Sequence, residues 1–231
     1  MMPRLQALLW DVDGTLADTE QQGHRPAFNA AFAAAGLPWH WDTSTYQRLL
    51  HTSGGRERIL AWMAEVAQRD EGLAAELHRS KQQHYSELLR RGSVPLRPGV
   101  LTLACEAAAA GLQQWIVTTS GRAAVAALLH NTPELEACFG GWICGDDVQR
   151  KKPDPEAYTL ALEHLKLPAC EVLAIEDSPQ GMKAARGADL AVVITTADWH
   201  GEVADLADAS LVVEHLDSKP TGLADLRDLL R

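Results

Sequence analysis

Two carboxylates one residue apart, Asp11 and Asp13, close a short apolar run and stand directly before Gly14 and Thr15. Ala7, Leu8, Leu9 and Trp10 read as a buried strand that Gly14 ends, which puts both acids at its carboxyl end. Open parallel sheets bind their ligands at that end. Like charges so placed form a concentrated negative site that calls for a cation. An EF-hand loop would need further oxygen ligands at fixed spacings, and they do not follow here.

A chain of 231 residues, 46% of them hydrophobic, can bury a large core as one domain or as a domain with an insert. Its formal charge of -10 lacks the basic footprint of a nucleic-acid binder, so no nucleic-acid partner is expected. No apolar run has the length of a membrane span, and Met1-Met2-Pro3-Arg4 lacks the apolar region of a secretory signal. The expectation is a soluble cytoplasmic protein with no membrane partner, acting as a monomer. Cys105, Cys138, Cys144 and Cys170 show neither CxxC pairing nor zinc spacing and read as incidental thiols without a disulfide.

From Asp18 to Leu89 strand-like runs disappear and helix formers dominate. Phe28, Ala31, Phe32 and Ala35 share one helical face that Gly36 and Pro38 end; Ile59, Met63 and Val66 mark a second helix, and Leu73, Leu77, Tyr85, Leu88 and Leu89 a third. Trp39 and Trp41 read as packing in a helix connection rather than as a stacking site. Pro95-Leu96-Arg97-Pro98-Gly99 then breaks the pattern, and helices begin to alternate with strands. The division expected is a core of 1–17 and 95–231 with an all-helical insert at 18–94.

In the second part, Val100 to Ala110 reads as a helix and Gln114 to Val117 as a strand leading into Thr118-Thr119-Ser120-Gly121. Those hydroxyls, before a helix starting near Arg122, suit an oxyanion, or merely cap the helix. Trp142-Ile143-Cys144 is a shorter run. Lys151 and Lys152 follow it, before Pro153 and a helix carrying Tyr158, Ala161, Leu162 and Leu165; lysines gain nothing from the dipole at a helix start. Glu171 to Ile175 is a strand ending in a second acidic pair, Glu176-Asp177, with a helix from Gly181 to Arg186 behind it. Strands at Leu190 to Thr195 and Leu211 to Val213 and a helix from Leu223 to Leu230 complete an α/β chain: a three-layer Rossmann-like parallel sheet with an inserted helical cap.

Asp11-Val12-Asp13-Gly14-Thr15-Leu16, Thr118, Lys152 and Glu176-Asp177 resemble, in order, the four motifs of the haloacid dehalogenase-like hydrolases. The resemblance implies a phosphoric monoester hydrolase in which Asp11 is the nucleophile, Asp13 the general acid and base, Thr118 a phosphate-orienting group and Lys152 the charge-balancing cation. It implies Mg²⁺ held by Asp11, the main-chain carbonyl of Asp13 and Asp177, with Glu176 acting directly or through water. Asp13 also sets the chain apart from the family's dehalogenases, which lack that second acid. Asp189 stands where the family usually has Gly, so a left-handed backbone is expected there.

In the insert, Asp18-Thr19-Glu20, Gly23-His24-Arg25, Phe28-Asn29, Trp41-Asp42, Tyr46 and Gly54-Gly55-Arg56-Glu57-Arg58-Ile59 resemble the subgroup of xylulose-1,5-bisphosphate phosphatases and β-phosphoglucomutase-like enzymes. The partner so implied is a small phosphorylated sugar. Glu20 and His24 would meet sugar hydroxyls, Gly54, Gly55, Arg56 and Arg58 a second phosphate, and Thr119 and Ser120 would join the core phosphate site. The glycine pair followed by two cations also fits an ordinary loop opening a helix with surface charges. A mutase, a phosphoglycolate-type phosphatase and a metal-binding scaffold on an inherited fold are the alternatives.

Overall fold

The structure, a computed structural model, describes residues 4–52, 54–196 and 203–230; Met1-Met2-Pro3 of the amino-terminal stretch lies outside the described residues. The chain divides into two compact units, Met1–Asp18 with Leu96–Arg231, and Thr19–Pro95.

The first unit is built on a parallel sheet of six strands: β1 Ala7–Trp10, β2 Gln113–Val117, β3 Gly141–Ile143, β4 Val172–Glu176, β5 Ala191–Thr195 and β6 Leu211–Val213, in the order β3-β2-β1-β4-β5-β6. The central strands are apolar throughout because helices cover both faces of a parallel sheet. Alternation along β1 divides its side chains between two cores. Ala7 and Leu9 join Tyr158, Ala161, Met182 and Ala185 on one side. Trp10, facing the other way, donates its indole N–H to Gln114 Oε1 at 3.1 Å, and Gln114 Nε2 donates to the carbonyl of Ala104 at 2.8 Å. A glutamine inside a strand that reads as apolar is thus fully partnered, as burial demands.

The second unit holds α1 Arg25–Ala34, α2 Thr43–Leu49, α3 Gly55–Glu65 and α4 Glu71–Arg90, with a π-helical turn at Glu20–His24 leading into α1. Phe28, Phe32, Trp39, Trp41, Tyr46, Ile59, Met63 and Leu77 form its core. Trp41 is completely enclosed, 4.7 Å from Phe28 and 4.9 Å from Phe32 between ring centroids, so both tryptophans are packing residues. Ala35 is a correction: α1 stops at Ala34, and Ala35 lies outside the helical face, exposed. The short α2 escaped the periodicity because only Tyr46 and Leu49 of it are buried; Asp42 caps it, accepting from Thr45 N at 2.7 Å.

The remaining helices, α5 Val100–Ala109, α6 Arg122–Leu129, α7 Pro133–Glu136, α8 Glu156–Leu165, α9 Pro179–Gly187 and α10 Leu223–Asp228, belong to the first unit. α10 closes two residues before the expected end at Leu230. Asp189 takes φ 61°, the left-handed conformation expected where the resemblance puts a glycine. The four cysteines are free; burial pushes the Cys138 thiol up to about 11. Among the described residues no helix is long and apolar enough to cross a membrane.

Candidate active site

The sheet order reverses beside β1, which pairs with β2 on one side and β4 on the other. Such a switch point opens a crevice at the carboxyl ends of the strands. Register decides what fills it. Trp10 pairs with Ile116 and with Ile175, so Asp11 comes level with Val117 and Glu176, and Thr118 and Asp177 stand one residue further on. Asp11, Thr118, Glu176 and Asp177 are all buried, each at 6% exposure or less.

Lys152 arrives from the loop after β3, where its peptide bond to Pro153 is cis. Its ammonium donates to Asp11 Oδ1 at 2.7 Å, to Glu176 Oε1 at 2.5 Å and to the carbonyl of Val117 at 2.8 Å. All three ammonium hydrogens can therefore be satisfied inside the protein. Lys151, its neighbour, is exposed. The Thr118 hydroxyl oxygen accepts from Ser120 N at 3.1 Å, and the Ser120 hydroxyl donates to Asp13 Oδ2 at 2.5 Å; Thr119 is exposed.

One carboxylate oxygen from each of Asp11, Glu176 and Asp177 lies within 4.8 Å of the others, the one such group among the described residues. Glu176 Oε2 is buried with no hydrogen-bond partner. A methyl group at Gly181 would place its carbon 1.9 Å from that oxygen, so the space beside it exists only because residue 181 is glycine. Buried oxygens on three carboxylates, one of them unpartnered, fit a hard divalent cation. The carboxylate of Asp13 is outside this triad, leaving its main-chain carbonyl as the ligand expected from that residue.

Electrostatics agree. Burial, with Glu176, Asp177 and Asp13 nearby, pushes the Asp11 carboxyl well above the ordinary carboxylate range against the downward pull of Lys152. Burial and Asp177 likewise raise Glu176, with Lys152 again opposing. Burial alone would lower Lys152, but Asp11 and Glu176 hold its ammonium above the usual value. One lysine does not neutralise the acids, and a divalent cation among them would favour their ionised forms.

In the helical unit, Glu20 accepts from the Tyr46 hydroxyl, which also accepts from Arg58 Nη1 at 3.0 Å. Arg58 is buried and stacks 5.3 Å from the Tyr46 ring centre. Arg56 is instead half-buried, paired with Glu71 at 2.6 Å while its Nε is buried without a hydrogen-bond partner. His24 Nδ1 lies 2.8 Å from Lys81 Nζ, and its ring centre is 4.0 Å from that of Tyr85, the planes tilted by 37°. Gly54 takes φ 92° and starts α3, and a methyl group at Gly55 would crowd His78 at 3.0 Å. Two groups went unnoticed in the sequence. Lys81, buried at 4%, belongs with His24 in this unit, and its only signal is a charge on the buried face of α4. Tyr158 donates its hydroxyl to Glu176 Oε1 at 2.5 Å, and its signal is a tyrosine among alanines and leucines, since an enclosed hydroxyl needs an acceptor.

A Rossmann-like sheet with this order, carrying a buried lysine and an acidic triad at its switch point, has the architecture of a haloacid dehalogenase-like hydrolase. Comparison with known proteins agrees: the profile of the haloacid dehalogenase-like hydrolases matches residues 5–189, and the chain belongs to that family as a phosphatase. It is 44% identical to the protein CbbY of Rhodobacter capsulatus, over 84% of this chain and 87% of that one. To the plasmid-borne protein CbbY of Cupriavidus necator it is 41% identical, over 92% and 86%. The crystal structure of a CbbY variant from Rhodobacter sphaeroides in complex with xylulose-(1,5)bisphosphate is similar at a TM-score of 0.81 and 36% identity, covering 96% of this chain and 99% of that one.

Proposed function

We propose that the protein hydrolyses a small sugar bisphosphate, xylulose-1,5-bisphosphate, with Mg²⁺ and through an aspartyl-phosphate on Asp11. The observation that carries the chemistry is the contact of Lys152 with both Asp11 and Glu176, beside a carboxylate triad with an unpartnered oxygen. The substrate rests on the ligand of the Rhodobacter sphaeroides relative, whose likeness extends over almost the whole chain.

Asp11, Glu176, Asp177 and the carbonyl of Asp13 would hold the metal, which when bound supplies positive charge to a phosphate oxygen. A carboxylate oxygen of Asp11 attacks phosphorus, the ester P–O bond breaks, and Asp13 gives its proton to the leaving alkoxide. Asp13 then takes a proton from water as that water attacks the aspartyl-phosphate, releasing inorganic phosphate and restoring Asp11. Lys152 offsets the charge on the transferring group, and Thr118, with Thr119 and Ser120, orients it. The helical cap, 18–94, serves recognition: Glu20 and His24 read the sugar hydroxyls, and Gly54, Gly55, Arg56 and Arg58 the second phosphate.

The test is kcat/KM for xylulose-1,5-bisphosphate, glucose-1-phosphate and phosphoglycolate, each with magnesium and with chelator. A large preference for the bisphosphate, lost with the metal, is expected. Preference for either monophosphate would overturn the substrate assignment, and turnover undiminished in chelator would overturn the role of magnesium.

A further inference from the structure

Tyr158 sits on the inward face of α8 with no exposed surface, among Ala157, Ala161 and Leu165. A phenylalanine would fill the same space, so packing does not explain the hydroxyl. Its partner is Glu176 Oε1, 2.5 Å away, the same oxygen that accepts from Lys152. The ring of Tyr158 also faces that ammonium, with Lys152 Nζ 5.1 Å from its centre. Two donors therefore converge on one oxygen of Glu176, while Oε2 is left buried and unpartnered.

We propose that Tyr158 is a positioning residue: by holding Glu176 Oε1 together with Lys152, it fixes the carboxylate plane and keeps Oε2 unengaged, and so sets the divalent-cation affinity of the Asp11, Glu176 and Asp177 triad. The inference rests on the proposed metal-dependent phosphatase. Hydrogen bonds behind a ligand commonly govern metal affinity by about 10–100-fold.

The experiment is calorimetric titration of the metal-free protein with magnesium. Tyr158→Phe should raise the magnesium Kd about 10-fold or more, while KM for the phosphate substrate at saturating metal stays near wild type. Leu165→Val, on the same helix, should lower thermal stability and leave the magnesium Kd alone, which separates positioning from packing. In a Glu176→Gln background the added Tyr158→Phe should change the Kd no further, since the hydroxyl acts only through that carboxylate. An unchanged Kd in Tyr158→Phe, or an equal loss in Leu165→Val, overturns the inference and leaves the phosphatase reading intact. A wild type that binds no magnesium overturns both.

Discussion

The ammonium of Lys152 and the carboxylate of Asp11 are 141 positions apart in the chain and 2.7 Å apart in the fold, with side chains only 6% and 9% exposed. A buried ion pair is weak evidence of stability, because desolvation offsets most of its attraction. Enclosing a lysine between two carboxylates at a strand-end crevice makes sense as preorganised charge for a reaction.

Asp11→Asn removes the nucleophile while leaving Lys152 its contact with Glu176, so the fold should survive. Steady-state turnover should fall by on the order of 10³-fold or more. Near-normal turnover in a folded variant would exclude the covalent route.

Lys152→Ala and Lys151→Ala form a matched pair. The first leaves Asp11 and Glu176 buried without their cation, and rates should drop on the order of 10²–10³-fold; the exposed Lys151 should matter little. Equal rate losses would show that the buried contact is irrelevant to catalysis.

Asp13→Asn should cost on the order of 10²–10⁴-fold in kcat, the range for a lost general acid and base, with magnesium affinity largely kept. Ser120→Ala, which removes one hydrogen bond to Asp13 Oδ2, should produce a smaller loss of the same kind. A Ser120→Ala variant impaired in KM alone would assign the hydroxyl to substrate instead.

The raised carboxyls of Asp11 and Glu176 fix a sign. A group whose folded pKa lies above its unfolded value, about 4 for these acids, stabilises fully below that value and loses its contribution as pH rises through the folded one. Magnesium needs the ionised forms, so it binds better over the same rise. The gap in thermal midpoint between magnesium and chelator should widen as pH rises above the ordinary carboxylate range. A constant gap would mean these carboxylates do not hold the ion.

Arg56 and Arg58 should separate. Arg56→Ala should weaken the bisphosphate by about 1.5–3 kcal/mol in kcat/KM, the value of a hydrogen bond to a charged group, and spare monophosphates. Arg58→Ala also removes contacts to the Tyr46 hydroxyl and to the Leu49 carbonyl, 3.2 Å away, and should lower the thermal midpoint as well. If Arg56→Ala weakens every substrate alike, its specific role is lost.

The sheet was legible because each strand is a short apolar run broken by acids, glycine or hydroxyls, and strand ends are where sequence and crevice coincide. Asp11 and Glu176-Asp177 could be placed from that alone, whereas Thr118, in a hydroxyl-rich turn that could as well cap a helix, and Asp189, where the family usually has glycine, needed the family likeness. Lys152 needed the family likeness, since nothing local marks which of two adjacent lysines turns inward. Partners across the fold were invisible: Tyr158 beside Glu176 and Tyr46 beside Arg58 depend on which helix faces meet, which periodicity does not encode. The insert's charged residues were harder still, because Arg56 and Arg58, two positions apart on one helix, find different partners, Glu71 for the first and Tyr46 with the Leu49 carbonyl for the second.

Gly181 follows from Pro179 inside α9, where glycine is normally a cost, and its backbone does not take the left-handed angles that would require it. What the position requires is emptiness. With a methyl carbon falling 1.9 Å from Glu176 Oε2, even alanine, the mildest of replacements and the better helix former, would drive the carboxylate out of its place. Gly181→Ala would thus be a change that strengthens a helix and disarms an enzyme, because at this spot the chain contributes to the chemistry by withholding a single carbon atom.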